Sequence, residues 1–307
     1  MKYRRLGTTR LRVSVVGIGC WQFGGEWGKQ FQQDEVNAMF DHAEDLGINL
    51  ADTAECYGDH LSEQFVGEAL RGRRDRWVIA TKFGHKFHRP FERDFMFDPA
   101  SVQRQLDDSL KALQTDYIDV YQFHSGDDAA FDADGLWEML NRQLDAGKIR
   151  HLGISIGSNT NIRQTDKADE VGAEVIQVVY NRVDRKPEEE VFTSCIEQDL
   201  GVLARVPLAS GLLSGKYKAD ATFAADEVRG KWMTPEQIQE TLQQVEQIKQ
   251  TEVPPGVPMP QWALAWCLQH PAVTAVIPGC KSVEQVASNG AAADLDLVRD
   301  DHPQAMI

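Results

Sequence analysis

The stretch Ile48-Asn49-Leu50-Ala51-Asp52-Thr53-Ala54-Glu55-Cys56-Tyr57-Gly58 carries the pattern on which the fold turns. An apolar run ends at Asp52, small residues turn the chain, and Tyr57-Gly58 precede a helix-like segment that follows His60. Parallel barrels display their chemistry in this way, with an acid at a strand end and a reactive group on the loop beyond. Taken alone, the same residues also suit a capped turn with a packed tyrosine. The rest of the chain decides between the two.

Upstream, residues 3–13 alternate polar and apolar around Gly7-Thr8-Thr9, which predicts a short N-terminal β-hairpin. Val13 to Cys20 reads as a first buried strand. Asp34 opens a helix whose apolar face carries Val36, Phe40, Ala43 and Leu46, stopped by Gly47. Further strands are predicted over 48–54, 77–82, 117–124, 151–156, 175–180, 202–207 and 274–278. Helical patterns separate them, with clear starts at Asp98-Pro99, at Thr234-Pro235-Glu236-Gln237 and at Ser282. A long loop is expected over 84–97 and an irregular segment over 209–233. The stripe Trp262, Leu264, Ala265, Trp266 and Leu268 has helical spacing and reads as packing against the barrel.

Eight strands, each followed by a helix, imply a parallel sheet, because parallel neighbours need crossovers. With no linker or low-complexity break, residues 1–307 read as one closed (β/α)8 TIM barrel domain. A dinucleotide fold of the open type is disfavoured. Gly17-Ile18-Gly19-Cys20-Trp21-Gln22 lacks the third glycine, and no helix opens there.

The 307 residues carry a formal charge of −15, which argues against nucleic acid or anionic membrane as a partner. The basic run 71–76 reads as a solvated turn. Five cysteines without a CxxC pair, no signal-type N-terminus and no long apolar run point to a cytoplasmic protein.

On a parallel barrel all strand C-termini open on one face, so Asp52, Tyr57, Lys82 and His124 are expected to converge. A phenol titrates near ~10, and a neighbouring ammonium favours its ionised form. Asp52 would hold the Lys82 ammonium, and His124 would bond a substrate oxygen or share the Tyr57 proton.

These residues resemble the motifs of the aldo-keto reductases. Asp52-Thr53-Ala54-Glu55-Cys56-Tyr57-Gly58 is similar to that family's Asp-Thr-Ala-x-x-Tyr-Gly, with Thr81-Lys82 and Tyr121-Gln122-Phe123-His124 at its next two strand ends. The resemblance continues through Arg4-Arg5-Leu6-Gly7, Leu152-Gly153-Ile154-Ser155, Tyr180-Asn181, Gly211-Leu212-Leu213-Ser214-Gly215-Lys216 and Ile277-Pro278-Gly279. It implies reduction of a small carbonyl substrate, or oxidation of the matching alcohol, by hydride from NADP(H), with NAD(H) as the other coenzyme. Tyr57 would be the proton donor and Asp52, Lys82 and His124 its partners.

The resemblance also implies coenzyme contacts from Gly19, Cys20, Trp21 and Asp52, and from Ser155 and Gln177 to the nicotinamide amide. Arg205, Pro207, Leu208 and Gly211 follow after the seventh strand, and Gly279, Lys281, Ser282, Gln285 and Asn289 after the eighth. Gly279-Cys280-Lys281-Ser282 enters a helix N-terminus, which suits an anion. The chain departs from the family where Ile156 replaces Asn after Ser155, where Arg205 replaces a stacking aromatic, and where Gln285 replaces Arg. The NADP preference therefore rests on Lys281. The C-terminus offers no long closing loop, so substrate contacts are expected from Trp21, Trp27, Phe31, the 84–97 loop and the 209–233 segment. His85 and His88 form HxxH without a further ligand of suitable spacing, so no metal is expected. A second reading is a coenzyme-binding regulatory subunit similar to channel-associated relatives, and a third is a Schiff-base aldolase using Lys82. The oligomeric state is not legible.

Overall fold

The computed structural model describes residues 1–306 except 160, 219, 225 and 226, the last three lying in the predicted irregular segment. The expected hairpin forms from β1 (Tyr3–Arg5) and β2 (Arg12–Ser14), with Tyr3 opposite Ser14. Leu6 and Val13 pack among Leu50, Val78, Val120, Val175, Leu203 and Ala275. These are residues near the N-terminal ends of successive barrel strands, so the hairpin plugs that end.

The apolar run 13–20 does two jobs where one strand was expected. Its first residues finish β2, the chain bends as Ser14 Oγ donates to Val16 O (2.7 Å), and β3 (Ile18–Gly19) begins the barrel. There follow β4 (Leu50–Asp52), β5 (Val78–Phe83), β6 (His85–Arg89), β7 (Glu92–Phe95), β8 (Ile118–His124) and β9 (Ile149–Ser155). The remaining strands are β10 (Ala173–Val179), β11 (Gly201–Arg205), β12 (Ala275–Val276) and β13 (Ala305–Met306). Eight of these form one parallel sheet in the order β3-β4-β5-β8-β9-β10-β11-β12.

The sheet curls until its edges meet. Val16 bridges Val276 and Gly19 bridges Gly279, with Gly17 N–H donating to Val276 O (2.9 Å) and Gly19 N–H to Pro278 O (3.0 Å). A side chain at position 19 would have its Cβ 2.5 Å from Ile277 O, so the seam requires glycine there. The fold is thus the expected (β/α)8 barrel. Outside the ring, β13 pairs with β1, and the buried Arg4 guanidinium donates to Leu268 O (2.8 Å) and Val273 O (2.6 Å).

The outer helices start and stop where their caps direct. Asp98 accepts from Ser101 N–H (2.9 Å) at the head of Pro99–Ala112, and Thr234 and Gln237 form a reciprocal capping box at the head of Pro235–Thr251. Gly47, with φ +79°, ends the helix Gln33–Asp45. Trp262, Leu264, Ala265 and Leu268 are buried as packing residues. Among the described residues no helix is long and apolar enough to cross a membrane.

The predicted loop 84–97 is instead an antiparallel ribbon, β6 with β7, in which His85 faces Phe95 and Phe87 faces Arg93. Two tight places make it. Phe91 turns with φ +65°, and Gly84 passes so near Phe97 that a Cβ would lie 2.0 Å from that ring. In the 209–233 segment, Ala209–Ser214 and Val228–Trp232 form short helices.

Candidate active site

The strand ends deliver their side chains to one place. Lys82 on β5 is wholly buried, and its Nζ donates to Asp52 Oδ1 (2.7 Å), Thr53 O (2.7 Å) and Tyr57 Oη (3.4 Å). Burial pulls the Lys82 ammonium towards deprotonation, but the Asp52 charge and the bonds to Asp52 and Tyr57 outweigh it and hold its pKa above the usual lysine value. For Tyr57 the balance is different. Burial pushes its pKa up, Lys82 pulls it down and Asp52 adds a further push, so the net direction is upward. The ammonium acts in the expected sense, but it tempers the desolvation without overcoming it.

His124, at the end of β8, lies with its ring centroid 6.1 Å from that of Tyr57. Burial, followed by competition with His85 for a proton and by the charges of Lys82, Arg93 and Arg205, keeps it neutral, with a pKa well below the usual value. His85 stacks on it at 4.5 Å and is likewise held neutral, at about 3, by burial and by Arg93.

Sequence reasoning missed the polar girdle of Asp52. Its Oδ2 accepts from Gln177 Nε2 (2.6 Å) and Gln122 Nε2 (3.2 Å), and Gln177 Nε2 also bonds Gln122 Oε1 (3.1 Å). The signal was present in Gln122, which stands two residues before His124 in a strand and so on the same face. Gln177 was expected at a nicotinamide amide, but its nitrogen is spent on Asp52, leaving its oxygen as the free atom. Also missed was the buried pair Glu26–Arg93 (2.8 Å). Arg93 donates to Cys56 Sγ (3.1 Å), and Glu26 accepts from Trp21 Nε1. These partners lie far apart in sequence and meet only because the ribbon folds over the barrel mouth.

Asp52, Tyr57 and His124 line a cleft of about 610 Å³ that runs to the N-terminus of the last helix, Val283–Gly290. Of the expected coenzyme contacts, all but two line it. Ser282 is turned away to cap its helix, accepting from Gln285 N–H (3.4 Å). Ser155, paired in register with His124, lies behind the cleft wall with a buried Oγ that has no partner.

Lys281 donates to Trp27 O (2.9 Å), and its pKa is lowered by burial and then by Arg229, with Lys216 adding to this. Lys216 and Arg229 line the same stretch of cleft. The expectation that Lys281 stands as the one cation is therefore corrected: three cations share this end. Arg205 donates Nη2 to Ile156 O (3.2 Å) while its buried Nε has no partner.

Above the cleft Trp21 stacks on Tyr57 (6.0 Å), meets Trp27 edge-on (5.2 Å) and stacks under Trp232 (5.2 Å), which is 56% exposed. Of the residues expected at the substrate, Phe31 does not reach the cleft and packs under Phe23.

Residues 15–305 match the model of the aldo/keto reductase family. The aldo-keto reductase YhdN of Bacillus subtilis (strain 168) is 32% identical over 93% of this chain and 87% of its own length. A probable voltage-gated potassium channel subunit beta of Oryza sativa subsp. japonica is 31% identical over 96% of this chain and 92% of its own. The holo form of an aldo-keto reductase from Bacillus halodurans superposes with a TM-score of 0.80 at 32% identity, covering 96% of this chain and 91% of that one. A barrel with this mouth, matched along almost its whole length, identifies the chain as a member of the aldo/keto reductase family, whose enzymes are oxidoreductases of carbonyl compounds.

Proposed function

We propose that this protein reduces aldehydes or ketones, or oxidises the matching alcohols, with NADP(H) preferred over NAD(H). The observation that carries the reading is the buried Lys82 ammonium held between Asp52 Oδ1 and Tyr57 Oη, both of which line the cleft.

The residues present fit a nicotinamide coenzyme. Ser155 Oγ and Arg205 Nε are buried and unpartnered near the strand ends, and the far end of the cleft gathers Lys281, Lys216 and Arg229, with Glu227 paired to Arg229 (2.7 Å). When bound, the coenzyme supplies the hydride that reaches the carbonyl carbon. Tyr57 gives its Oη proton to the carbonyl oxygen, and Lys82 stabilises the phenolate left behind. His124, neutral, hydrogen-bonds the same oxygen. Asp52 keeps Lys82 charged and fixed, while Gln122 and Gln177 fix Asp52. The tryptophans over Tyr57 exclude water from the transfer. Lys281, Lys216 and Arg229 bind the 2′-phosphate that distinguishes NADPH.

The aldolase reading is disfavoured because Asp52 keeps Lys82 charged, and an ammonium is no nucleophile. The regulatory-subunit reading draws on the likeness to a potassium channel subunit beta, but that relative shares the same fold and does not favour it over the enzyme. Five buried free thiols support a reducing, cytoplasmic setting, and the match over 15–305 supports a single domain.

The test is a panel of aldehydes and ketones offered with NADPH and NADH, read by loss of nicotinamide absorbance. Turnover favouring NADPH is expected. Tight coenzyme binding without turnover of any carbonyl would overturn the enzymatic reading in favour of the regulatory one.

A further inference from the structure

We propose that Glu55, Cys56, His85 and His124 form a binding site for a divalent cation of the zinc class, and that an ion there shuts off the reaction proposed above. The inhibitory part rests on that reading through His124. The binding part does not.

Each of the four residues offers a ligand atom, and these atoms lie within 4.8 Å of one another. Cys56 Sγ and His124 Nδ1 are 3.7 Å apart. Zinc bonds of about 2.3 Å to sulfur and about 2.0–2.1 Å to nitrogen put tetrahedral neighbours about 3.5 Å apart, so this edge is nearly formed already. The other edges need the ligands to draw inwards, and the Glu55 and His85 atoms that must move break no hydrogen bond in doing so. Glu55 Oε2 and both ring nitrogens of His85 are buried without any hydrogen-bond partner, in residues only 3% and 7% exposed. Buried polar atoms are normally satisfied, and the orphaned Glu55 oxygen and His85 ring, each offering one atom to the cluster, call for a ligand. Glu55 is also prepositioned, because its Oε1 accepts from His85 N–H (2.9 Å).

Charge and donor type agree. Lys82 and Arg93 are each paired with a carboxylate, Asp52 (2.7 Å) and Glu26 (2.8 Å), and the bond from Arg93 to Cys56 Sγ (3.1 Å) is the one the ion would displace. Glu55 and Cys56, once deprotonated by the incoming ion, then present two negative charges to a dication. One thiolate, two imidazoles and one carboxylate favour zinc or cobalt over magnesium or calcium, which seek oxygen alone. Entry is open, since His85 and His124 both line the cleft. The pattern was hidden in the sequence because His85 was read with His88. That residue faces outward and pairs with Asp94 (2.8 Å).

The test uses the full chain, stripped by chelator and dialysed against Zn²⁺ in the presence of excess Ca²⁺ and Mg²⁺. One zinc per chain is expected. Co²⁺ in its place should give a thiolate-to-metal charge-transfer band with tetrahedral intensity. C56S should lose that band, and C56S and His85→Gln should each weaken zinc binding by more than about tenfold. Zinc should inhibit the wild type and inhibit C56S correspondingly less. A wild-type cobalt spectrum without the thiolate band, or zinc binding equal in all three proteins, would overturn the site whatever the variants' stability. Stoichiometric binding in a protein that turns over no carbonyl would leave the site standing and remove only the reaction. Full activity with no bound zinc would do the reverse.

Discussion

Replacing Lys82 by Met keeps the bulk of the side chain and removes its charge. Nζ lies 3.4 Å from Tyr57 Oη, and two unit charges at that spacing in an effective dielectric of about 20 attract by about 5 kcal/mol. That corresponds to about 3–4 pKa units on the phenol. Asp52 is present in wild type and variant alike and does not alter this difference, so a rise of roughly three units is expected. Alcohol oxidation needs Tyr57 as its phenolate base, so the pH profile of kcat/KM for oxidation should move upward by that amount. Carbonyl reduction should slow as well. The substitution also leaves the Asp52 carboxylate buried without its cation, which costs about 3–5 kcal/mol, softened here by the two glutamine donors. Denaturant unfolding of Lys82→Met beside the double variant with Asp52→Asn separates the two effects, since the double should recover stability without recovering rate. An oxidation profile and rate unchanged in Lys82→Met would refute the role given to the ammonium.

Tyr57→Phe should cut turnover about 10²–10⁴-fold while coenzyme binding, followed by tryptophan quenching, stays near wild type. Near-normal reduction would exclude Tyr57 as the donor. Lys281→Ala should weaken NADPH by about tenfold, the low end for a charge-assisted bond, because Arg229 and Lys216 remain. Pairing it with Arg229→Ala should weaken NADPH further and leave NADH almost unchanged. Equal loss for both coenzymes would mean that the cations support the loop and do not read the phosphate. His302 is held neutral by burial and by Arg4, its pKa lowered to about 4, and its Nδ1 accepts from Gln304 N–H (3.1 Å). The unfolded chain takes up this proton first, so the stability it contributes is present above pH ~6.5 and is lost as pH falls towards ~4. His302→Asn should flatten that acid limb of the unfolding curve, and a limb of unchanged slope would assign it to other groups.

The sequence made the barrel legible because each of its units is local. An apolar run, a cap and a helix face announce themselves within about twenty residues. The strand-end groups Asp52, Tyr57, Lys82 and His124 were legible for the same reason, being ionisable residues at the end of apolar runs. What stayed hidden depends on residues meeting across distance. Glu26 finds Arg93, and His85 finds Cys56, only once the ribbon β6–β7 closes over the mouth, and nothing in either segment names the other. The ribbon itself was concealed because Phe97 joins the ring cluster around Phe123 and Trp137, Phe91 meets Trp232 and Phe95 lines the cleft, so the aromatics do not alternate cleanly. Lys216 and Arg229 looked like ordinary surface charge in a segment without periodicity, yet they share the cleft with Lys281.

The seam that closes the barrel has a consequence for how the molecule is made. Gly19 and Gly279 meet across about 260 residues, and β1 waits still longer for β13. A chain emerging from the ribosome can form its early βα units but cannot complete the ring until β12 and Gly279 are free. Contacts of such long range are entropically costly and form late. Until then β3 and β11 carry exposed, unpaired edges that invite association with other chains. A prematurely ended copy lacking residues 275–306 would keep those edges for good and leave Arg4 without its carbonyl partner at Val273 properly held. Closure is therefore checked by the architecture itself: only a chain that carries β12 and its seam can hide those edges.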